Sequence, residues 1–488
     1  MVSSITQIQG KMLQQLEKIF IEYSMDMTKI AELIQGVTES VLTFARCLLA
    51  EEFESYDRFL CEDKRHRPEW NVVKKVSTTL LTSLGSIYYH KTLFQNTKTR
   101  EYQYLLDQAM GLEPYARMTE DAEANLLTEA VQTSYEKGGE NVSIGKEQVS
   151  RETVKNKIHR LEFPKKMGYP EEKKVVNYLY IDADEDHVAL QFREQKGDIV
   201  ENERHQKNNG AMVKLIYVYE GMEEEFVREK RHQLKNAYYF CRVCEGEENK
   251  ELWDEVYEYI EKTYDLRKVK KIYLNADGGS WITAGKRRIA GITYVLDEFH
   301  LRKYLQKITR NFPSQKDELE KELIKIIRKK TKNEFEEKIK ELKEEIDSVS
   351  GKRRIEEGAK YLLGNWSAAR IRLLGKEGVI GSSTESHVSH VLSARMSSRP
   401  MGWSNVGMAK MAELRAYYYN GGDMLELVRY QKRVSKEENE EIIYSSNKMW
   451  VEERKRQKEL GCLADMKTYR IANAQIRKML NCKHQICV

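Results

Sequence analysis

Long hydrophobic runs are missing from this chain. No stretch approaches the ~18 consecutive apolar residues of a membrane helix. The first residues, Met-Val-Ser-Ser-Ile-Thr-Gln, lack a basic start followed by an apolar block, which speaks against a secretory signal. Cysteine is sparse. Seven residues, an odd number, are scattered over 488 positions, which points to reduced thiols in a cytosol-like compartment and not to a disulfide framework. Internal repeats and low-complexity tracts are absent. So is a large charge of one sign: the formal net charge is +5, so the total is no argument for nucleic acid, and where the basic residues fall matters more.

Proline is scarce as well. Six interrupt the chain, and most mark joints. Residues 1–60 read as helix, with long stretches free of Gly and Pro. Pro68 and Pro114 bracket a segment around Gly85-Ser86-Ile87-Tyr88-Tyr89 that is rich in β-formers and reads as a small hairpin. Helix returns from Thr119. Pro164 and Pro170 flank a short linker before a β-rich region. Pro313 closes that region and opens a charged helical stretch to about residue 375.

What is present suits a soluble, mostly helical protein of roughly three domains. Charged residues make up 33% and hydrophobic residues 40%, enough apolar material for a core. In the charged stretch Phe335, Ile339, Leu342 and Ile346 recur at helical spacing, with Lys and Glu between them. This predicts an amphipathic helix in a hairpin that packs on the main body. Cys241 and Cys244 form a CxxC, and Cys482, His484 and Cys487 lie near the C-terminus, so four zinc ligands are available. The two halves are far apart and neither lies in a ribbon-like context, so incidental cysteines are the simpler reading.

Val149 to His159 reads as a recognition helix of a helix-turn-helix. Ser150 can cap it, and Val154 and Ile158, four apart, would face a core. Arg151, Glu152, Lys155, Asn156 and His159 would point outward with donors and acceptors for base edges and phosphates. A preceding helix would run from Thr119 to Tyr135, and Ile144 to Gln148 would form a short helix before the turn. An ordinary capped surface helix explains the pattern equally well.

Three acidic segments carry the chemistry. Tyr178 to Leu190 has the apolar and aromatic content of a strand, and alternation puts Asp182, Asp184 and Asp186 on one face. Strands rarely gather carboxylates without a cation nearby. Lys271 to Trp281 is a short apolar strand ending in Asp277-Gly278-Gly279, where an Asp at the strand end can project into a crevice; a plain Asp-Gly turn is the alternative. Gly381 to His390 enters a helix and contains Glu385, which with Ser382 also fits a capping box. Two Asp and one Glu from different elements could clamp a pair of magnesium ions ~4 Å apart for phosphodiester chemistry.

These segments resemble the ISLre-type insertion-sequence transposases, a family related to the Mutator-like DDE transposases. The similar stretches are Ala183 to Val188, Ala276-Asp277-Gly278 with Trp281, Glu298-Phe299-His300-Leu301 and, most specific, Ser389 to Ser404. The resemblance spans most of the chain. It implies an α+β or α/β fold: an RNase H-like catalytic core with a helical insertion, preceded by a mainly helical DNA-binding region. The implied layout is a mainly helical region over 1–115, a helix-turn-helix region over 116–170 and the first part of the core over 171–312. The insertion follows over 313–375, then the last part of the core over 376–425 and a basic helical tail over 426–488. By the resemblance Asp184, Asp277 and Glu385 form the triad, with Asp182 as alternative first member, holding two Mg2+ ions that Mn2+ can replace. Relatives of the Mutator type carry Cys-x-x-His after the second Asp; here Asp297 stands in place of the Cys and His300 is kept.

The implied activity is metal-dependent DNA cleavage and strand transfer at insertion-sequence ends, in a bacterial-type cytoplasm on the nucleoid. The partners would be double-stranded DNA, as terminal inverted repeats and as target, and further copies of the chain on that DNA; no membrane is involved. A catalytically silent DNA-binding repressor and an RNase H-like structure-selective nuclease are the alternatives. His300, Arg302 and Lys303 would contact DNA or orient the site. Arg395 and Arg399, four apart on the helix that starts near Glu385, would grip phosphate. Trp403, after Pro400 and Gly402, would either stack on an unpaired base or anchor the next helix beside Met401 and Met408.

Overall fold

A computed structural model describes residues 2–113, 115–145, 147–164, 169–203, 205–224, 232–381, 384–399, 401–434, 449–452 and 454. Its described residues form two compact units. One comprises those up to Leu126, those from Glu140 to Val149 and those from Lys432 onward; the other comprises Leu127–Gly139 and Ser150–Gln431. The architecture is mixed α/β.

In the first unit, α1 (Val2–Met25) and α2 (Ile30–Glu62) turn back on each other, so that Ile19 lies against Gly36. By length and composition α2 is apolar enough to cross a membrane, a criterion that core helices of soluble proteins also meet. A long hairpin follows, β1 (Trp70–Thr82) with β2 (Gly85–Asn96), extended by β3 (Tyr102–Gln103). The region over 1–115 is therefore part sheet, and the hairpin is larger than the sequence predicted. Ile87 and Tyr89, two apart on β2, enter a core with Phe94 further along the strand, with Leu80 of β1 and with Tyr56, Phe59 and Leu60 from the end of α2; the alternation shifts phase at Lys91 and Thr92. The helices α3 (Leu105–Ala109), α4 (Glu120–Ala130) and α5 (Tyr135–Glu140) come next in sequence. Residues 144–145 and 147–148 are not helical, so the short helix expected over Ile144 to Gln148 is corrected. Two of its residues are anchored elsewhere: the Ile144 amide donates to the Ser83 carbonyl, and the Glu147 carboxylate accepts from the Ser86 amide.

The second unit takes in the end of α4 and most of α5 and resumes with α6 (Arg151–His159), capped by Ser150, whose hydroxyl accepts from the Thr153 amide at 3.2 Å. Then come β4 (Tyr178–Ala189), β5 (Gly210–Tyr219), the short pair β6 (Met222–Glu224) and β7 (His232–Leu234), and β8 (Tyr238–Arg242). They are followed by α7 (Glu248–Thr263), β9 (Lys271–Ala276), α8 (Ser280–Arg288), β10 (Ile292–Leu296) and α9 (Glu298–Thr309). Five of these strands form one sheet in the order β10-β9-β4-β5-β8. β4, β5 and β8 are an antiparallel meander; β9 and β10 add to the other side, parallel to β4, through the helical crossovers α7 and α8.

Alternation divides β4. Leu179, Ile181 and Ala183 join Ile216, Val218 and Leu274 in a core closed by Leu252, Trp253, Val256 and Ile260 of α7. Each large apolar side chain so buried contributes about 1.5–3 kcal/mol. The even-numbered residues of β4 face the other way.

After α9 come α10 (Lys316–Lys329), α11 (Lys332–Glu344), α12 (Val349–Gly364) and α13 (Trp366–Leu374). Phe335, Ile339 and Leu342 are buried in the core these helices build with Leu301, Leu305 and Ile308 of α9, and Ile346 packs beside it. The charged stretch is thus four helices where a hairpin was expected, seated on α9. The unit closes with α14 (Thr384–Val388), a π-helical turn over Ser389–Ser393, α15 (Ala394–Met396), α16 (Asn405–Tyr419) and α17 (Met424–Val434).

Candidate active site

The face of the sheet opposite the α7 core is polar. β4 and β9 run parallel, with Asp182 beside Asn275 and Ala183 beside Ala276 as their last pairs. One step further along both chains are Asp184 and Asp277, each half-buried. The backbone turns away at Gly278, whose φ of +94° suits glycine, and a Cβ there would lie 2.7 Å from Asn365 Oδ1. The Gly279 amide donates to Asp277 Oδ1 at 2.8 Å, and the Tyr361 hydroxyl donates to the Asp277 carbonyl. The Glu185 amide donates to Asp184 Oδ1 at 2.8 Å.

Asp182 is wholly enclosed. Its carboxylate accepts from Tyr217 at 2.8 Å, Tyr219 at 3.1 Å, Asn275 at 2.7 Å and Thr384 at 3.1 Å. Burial pushes its pKa up to about 6 against the opposing pull of those four donors. Thr384 is the first residue of α14, so Asp182 ties β5, β9 and the start of the helix that carries Glu385 to one point. The side chain of Glu385 lies outside the described residues, as does Ser382 with the capping box expected of it. Among the described residues no three His, Cys, Asp or Glu side chains group as metal ligands. His387, further along α14, packs 4.9 Å from the Tyr217 ring centroid and bonds Tyr239 at 3.1 Å; burial pulls its pKa down to about 4, so it is neutral at pH 7. Asp186 accepts from the Ser397 hydroxyl at 2.8 Å, pinning the far end of β4 to the residue after α15.

Asp297, in the place of the relatives' Cys, caps α9: it accepts from the His300 amide at 3.0 Å and faces the ring nitrogen at 3.3 Å. Burial works against the His300 cation, but the hydrogen bond to Asp297 and the charges of Asp297 and Asp277 outweigh it and leave the pKa raised. Arg302 is exposed and paired with Glu298 at 2.8 Å, and Lys303 covers the Phe299 ring.

The arginine segment differs from expectation. Arg395 is 5% exposed; it donates to the Ala130 carbonyl at 3.1 Å and its guanidinium lies 5.3 Å from the Tyr135 ring centroid and 4.9 Å from that of Trp403. Its expected role in gripping DNA is corrected to one in packing. Arg395 stands seven, four and three residues after the buried Val388, Val391 and Leu392, on the same helical stripe. Trp403 is buried too. Its indole donates to the Met396 carbonyl at 2.9 Å, and its backbone bridges Leu190 at the end of β4, so it is an anchor and not a stacking platform. Arg399 lies beyond the end of α15 and is exposed. On α6, Arg151 and Asn156 are exposed, Lys155 is half-buried and paired with Glu152, and Val154 and Ile158 are buried where the helix packs on α16.

Two arginines escaped sequence reading. Arg372 of α13 donates to Asn275 Oδ1 at 2.7 Å and to the carbonyls of Leu296 and Ile380, holding the residue that holds Asp182. Arg415 of α16 is buried and donates to the carbonyls of Val131, Val391 and His390, taking up backbone acceptors at the π-turn. Neither stands in a motif; only the topology brings its partners together. The tyrosines were within reach, since Tyr217 and Tyr219 alternate on β5. Cys241 and Cys244 are buried free thiols, the former with a pKa pushed up to about 12 by burial; Cys482, His484 and Cys487 lie outside the described residues.

Comparison with known proteins identifies relatives. Residues 24–434 match UPF0236, described as an uncharacterised protein family. A UPF0236 protein of Caldanaerobacter subterraneus subsp. tengcongensis, whose name joins eleven designations, is 35% identical over 414 residues, which cover 85% of this chain and 83% of the relative. A second from the same organism, with four designations in its name, is 35% identical over 398 residues, 82% of this chain and 79% of its own. With most of its length matched at this level, the chain belongs to the UPF0236 family.

Proposed function

We propose that this protein is a DNA transposase of the DDE type, which cleaves the ends of its own element and joins them to target DNA. The observation that carries the reading is the placement of Asp184 and Asp277, each half-buried and one residue past the last β4–β9 pair, with Asp182 fastening the start of the Glu385 helix to the same face. A meander of three strands extended by two parallel strands, with a carboxylate on the central strand and another just past its parallel neighbour, supports an RNase H-like core. The helices α10 to α13, lying between Asp277 and Glu385, match the insertion such a transposase carries. Independent support comes from the relatives: eleven designations for one protein in one organism are what a self-copying element leaves behind.

The residues fit divalent metal. Asp184 and Asp277 offer hard carboxylate oxygens at a half-open position, the donor type that magnesium or manganese takes. Glu385 is the third ligand of the reading, and Asp182 remains the alternative to Asp184. Bound ions would supply charge neutralisation at the scissile phosphate and a deprotonated hydroxyl as nucleophile. The chain's own groups do the rest. Asp182, Asn275 and Arg372 hold β4, β9 and α13 in fixed relation. His300, whose backbone amide and ring both meet Asp297, stands near Asp277. Arg399 is the exposed cation of the arginine segment, suited to a phosphate of the cut strand. In this reading α6 contacts the terminal repeat through Arg151 and Asn156, with Lys155 beside them, and Arg302 adds a phosphate contact. The test is incubation of the full chain with labelled DNA bearing the ends of its element, with magnesium or manganese. Cleavage at the ends followed by strand transfer supports the reading. End binding without cleavage turns it toward a repressor, and cleavage governed by DNA structure alone toward a nuclease.

A further inference from the structure

We propose that the helical hairpin of α1 and α2 is a self-association surface, and that its occupant is the same hairpin of a second copy of this chain. The inference does not rest on the transposase reading. Among the described residues the hairpin packs no apolar side chain against the core of its unit before Leu49. Its outer surface is nevertheless apolar: Leu13 is 63%, Ile30 58% and Ile34 61% exposed, and Phe20, Ile21 and Val41 are exposed with them. The spacing is regular. Leu13, Leu16, Phe20 and Tyr23 follow one another at three, four and three residues, and Ile30, Ile34, Val37, Val41 and Phe44 at four, three, four and three; Leu13, Phe20, Ile30, Ile34 and Val41 are exposed, and Leu16, Tyr23, Val37 and Phe44 half-buried beside them. That is the seam of a helical bundle, where apolar stripes from several helices interlock. Two helices alone cannot bury such stripes; each stripe needs a further layer.

Three features select a second copy as that layer. First, a hairpin laid against its twin makes a closed, isologous four-helix bundle in which each stripe meets its equivalent. Second, the exposed large apolar side chains from Leu13 to Val41 together offer on the order of 800 Å², what one partner gives to a standard stable interface. Third, the charges disfavour other occupants. Residues 6–45 carry Lys11, Lys18 and Lys29 against Glu17, Glu22, Asp26, Glu32 and Glu39, two more acids than bases. An acidic surface repels both DNA and anionic lipid, which recruit basic helices.

The experiment is sedimentation velocity of the full chain without DNA at ~10 µM, a concentration at which an interface of this size normally holds. The wild type should run as a dimer. Phe20→Glu with Ile34→Glu, and separately Leu13→Lys with Ile30→Lys, should run as monomers. These sites face solvent in one copy, so melting of the dilute chain should change little. A wild-type monomer, or a dimer that persists in both variants, overturns the proposal. Amide exchange of the wild type above and below the dissociation concentration gives a readout that needs no variant: α1 and α2 should exchange more slowly at the higher one, and equal exchange refutes the pairing. Flotation of the wild type with vesicles of phosphatidylcholine and phosphatidylglycerol, abolished in the variants, would assign the surface to lipid instead.

Discussion

Arg395 and Arg399 stand four residues apart and do different work. Arg395 is enclosed between Tyr135 and Trp403 with its Nε on the Ala130 carbonyl, so Arg395→Ala removes packing and orphans an acceptor. It should cost about 2–4 kcal/mol, and Trp403→Ala about 3–5 kcal/mol, read by denaturant unfolding. Activity should fall only as far as the folded fraction falls. Arg399→Ala should leave unfolding unchanged and slow cleavage. If Arg395→Ala kept full stability, the packing role would be wrong; if Arg399→Ala cut at the wild-type rate, that residue would have no part in the reaction. The two aspartates of β4 divide in a similar way. Asp184 is half-buried one residue past the last β4–β9 pair, whereas Asp182 is enclosed by Tyr217, Tyr219, Asn275 and Thr384. Asp184→Asn should therefore abolish cleavage with the fold intact, and Asp182→Asn should lower stability and retain a reduced rate. The reverse pattern would move the first triad position to Asp182.

At the scale of elements, α6 is the recognition candidate. Its buried stripe of Val154 and Ile158 rests on α16, which leaves Arg151 and Asn156 exposed. A base-edge contact is worth ~1–3 kcal/mol of discrimination, so the double variant Arg151→Ala, Asn156→Ala should lose tenfold or more in preference for correct over scrambled ends in a competition binding assay. Undiminished preference would make α6 a packing helix. Elements with a plain period were legible in the sequence. The alternation of β4 put three aspartates on one face, and the spacing of Phe335, Ile339 and Leu342 marked α11 and its buried side. The Ser150 cap was legible because a cap is a local signal. The fate of Ile144 to Gln148 was not, since distant partners hold that segment. The π-turn over Ser389–Ser393 was not legible either; Arg395 falls on the same α-helical stripe as the buried Val388, Val391 and Leu392, and its charge hides that burial. Arg372 and Arg415 were hidden for a related reason, because their acceptors are carbonyls from elements far apart in sequence.

For the whole molecule, one polar face of a five-stranded sheet receives carboxylates from two neighbouring strands and the start of the helix bearing a third. Relatives that recur under many designations in one organism suit an enzyme that moves its own gene. Apolar stripes on the N-terminal hairpin suit the self-association proposed above. The most direct measurement of the central claim is end cleavage by Asp277→Ala against the wild type, with magnesium, alongside end binding by both. In the proposed reading, metal held by these carboxylates would stabilise charge in the transition state, while binding would rest on phosphate contacts elsewhere. The account predicts that the variant binds the ends within a few-fold of the wild type and produces no cut strand. Cleavage by Asp277→Ala at a rate near the wild type would contradict it.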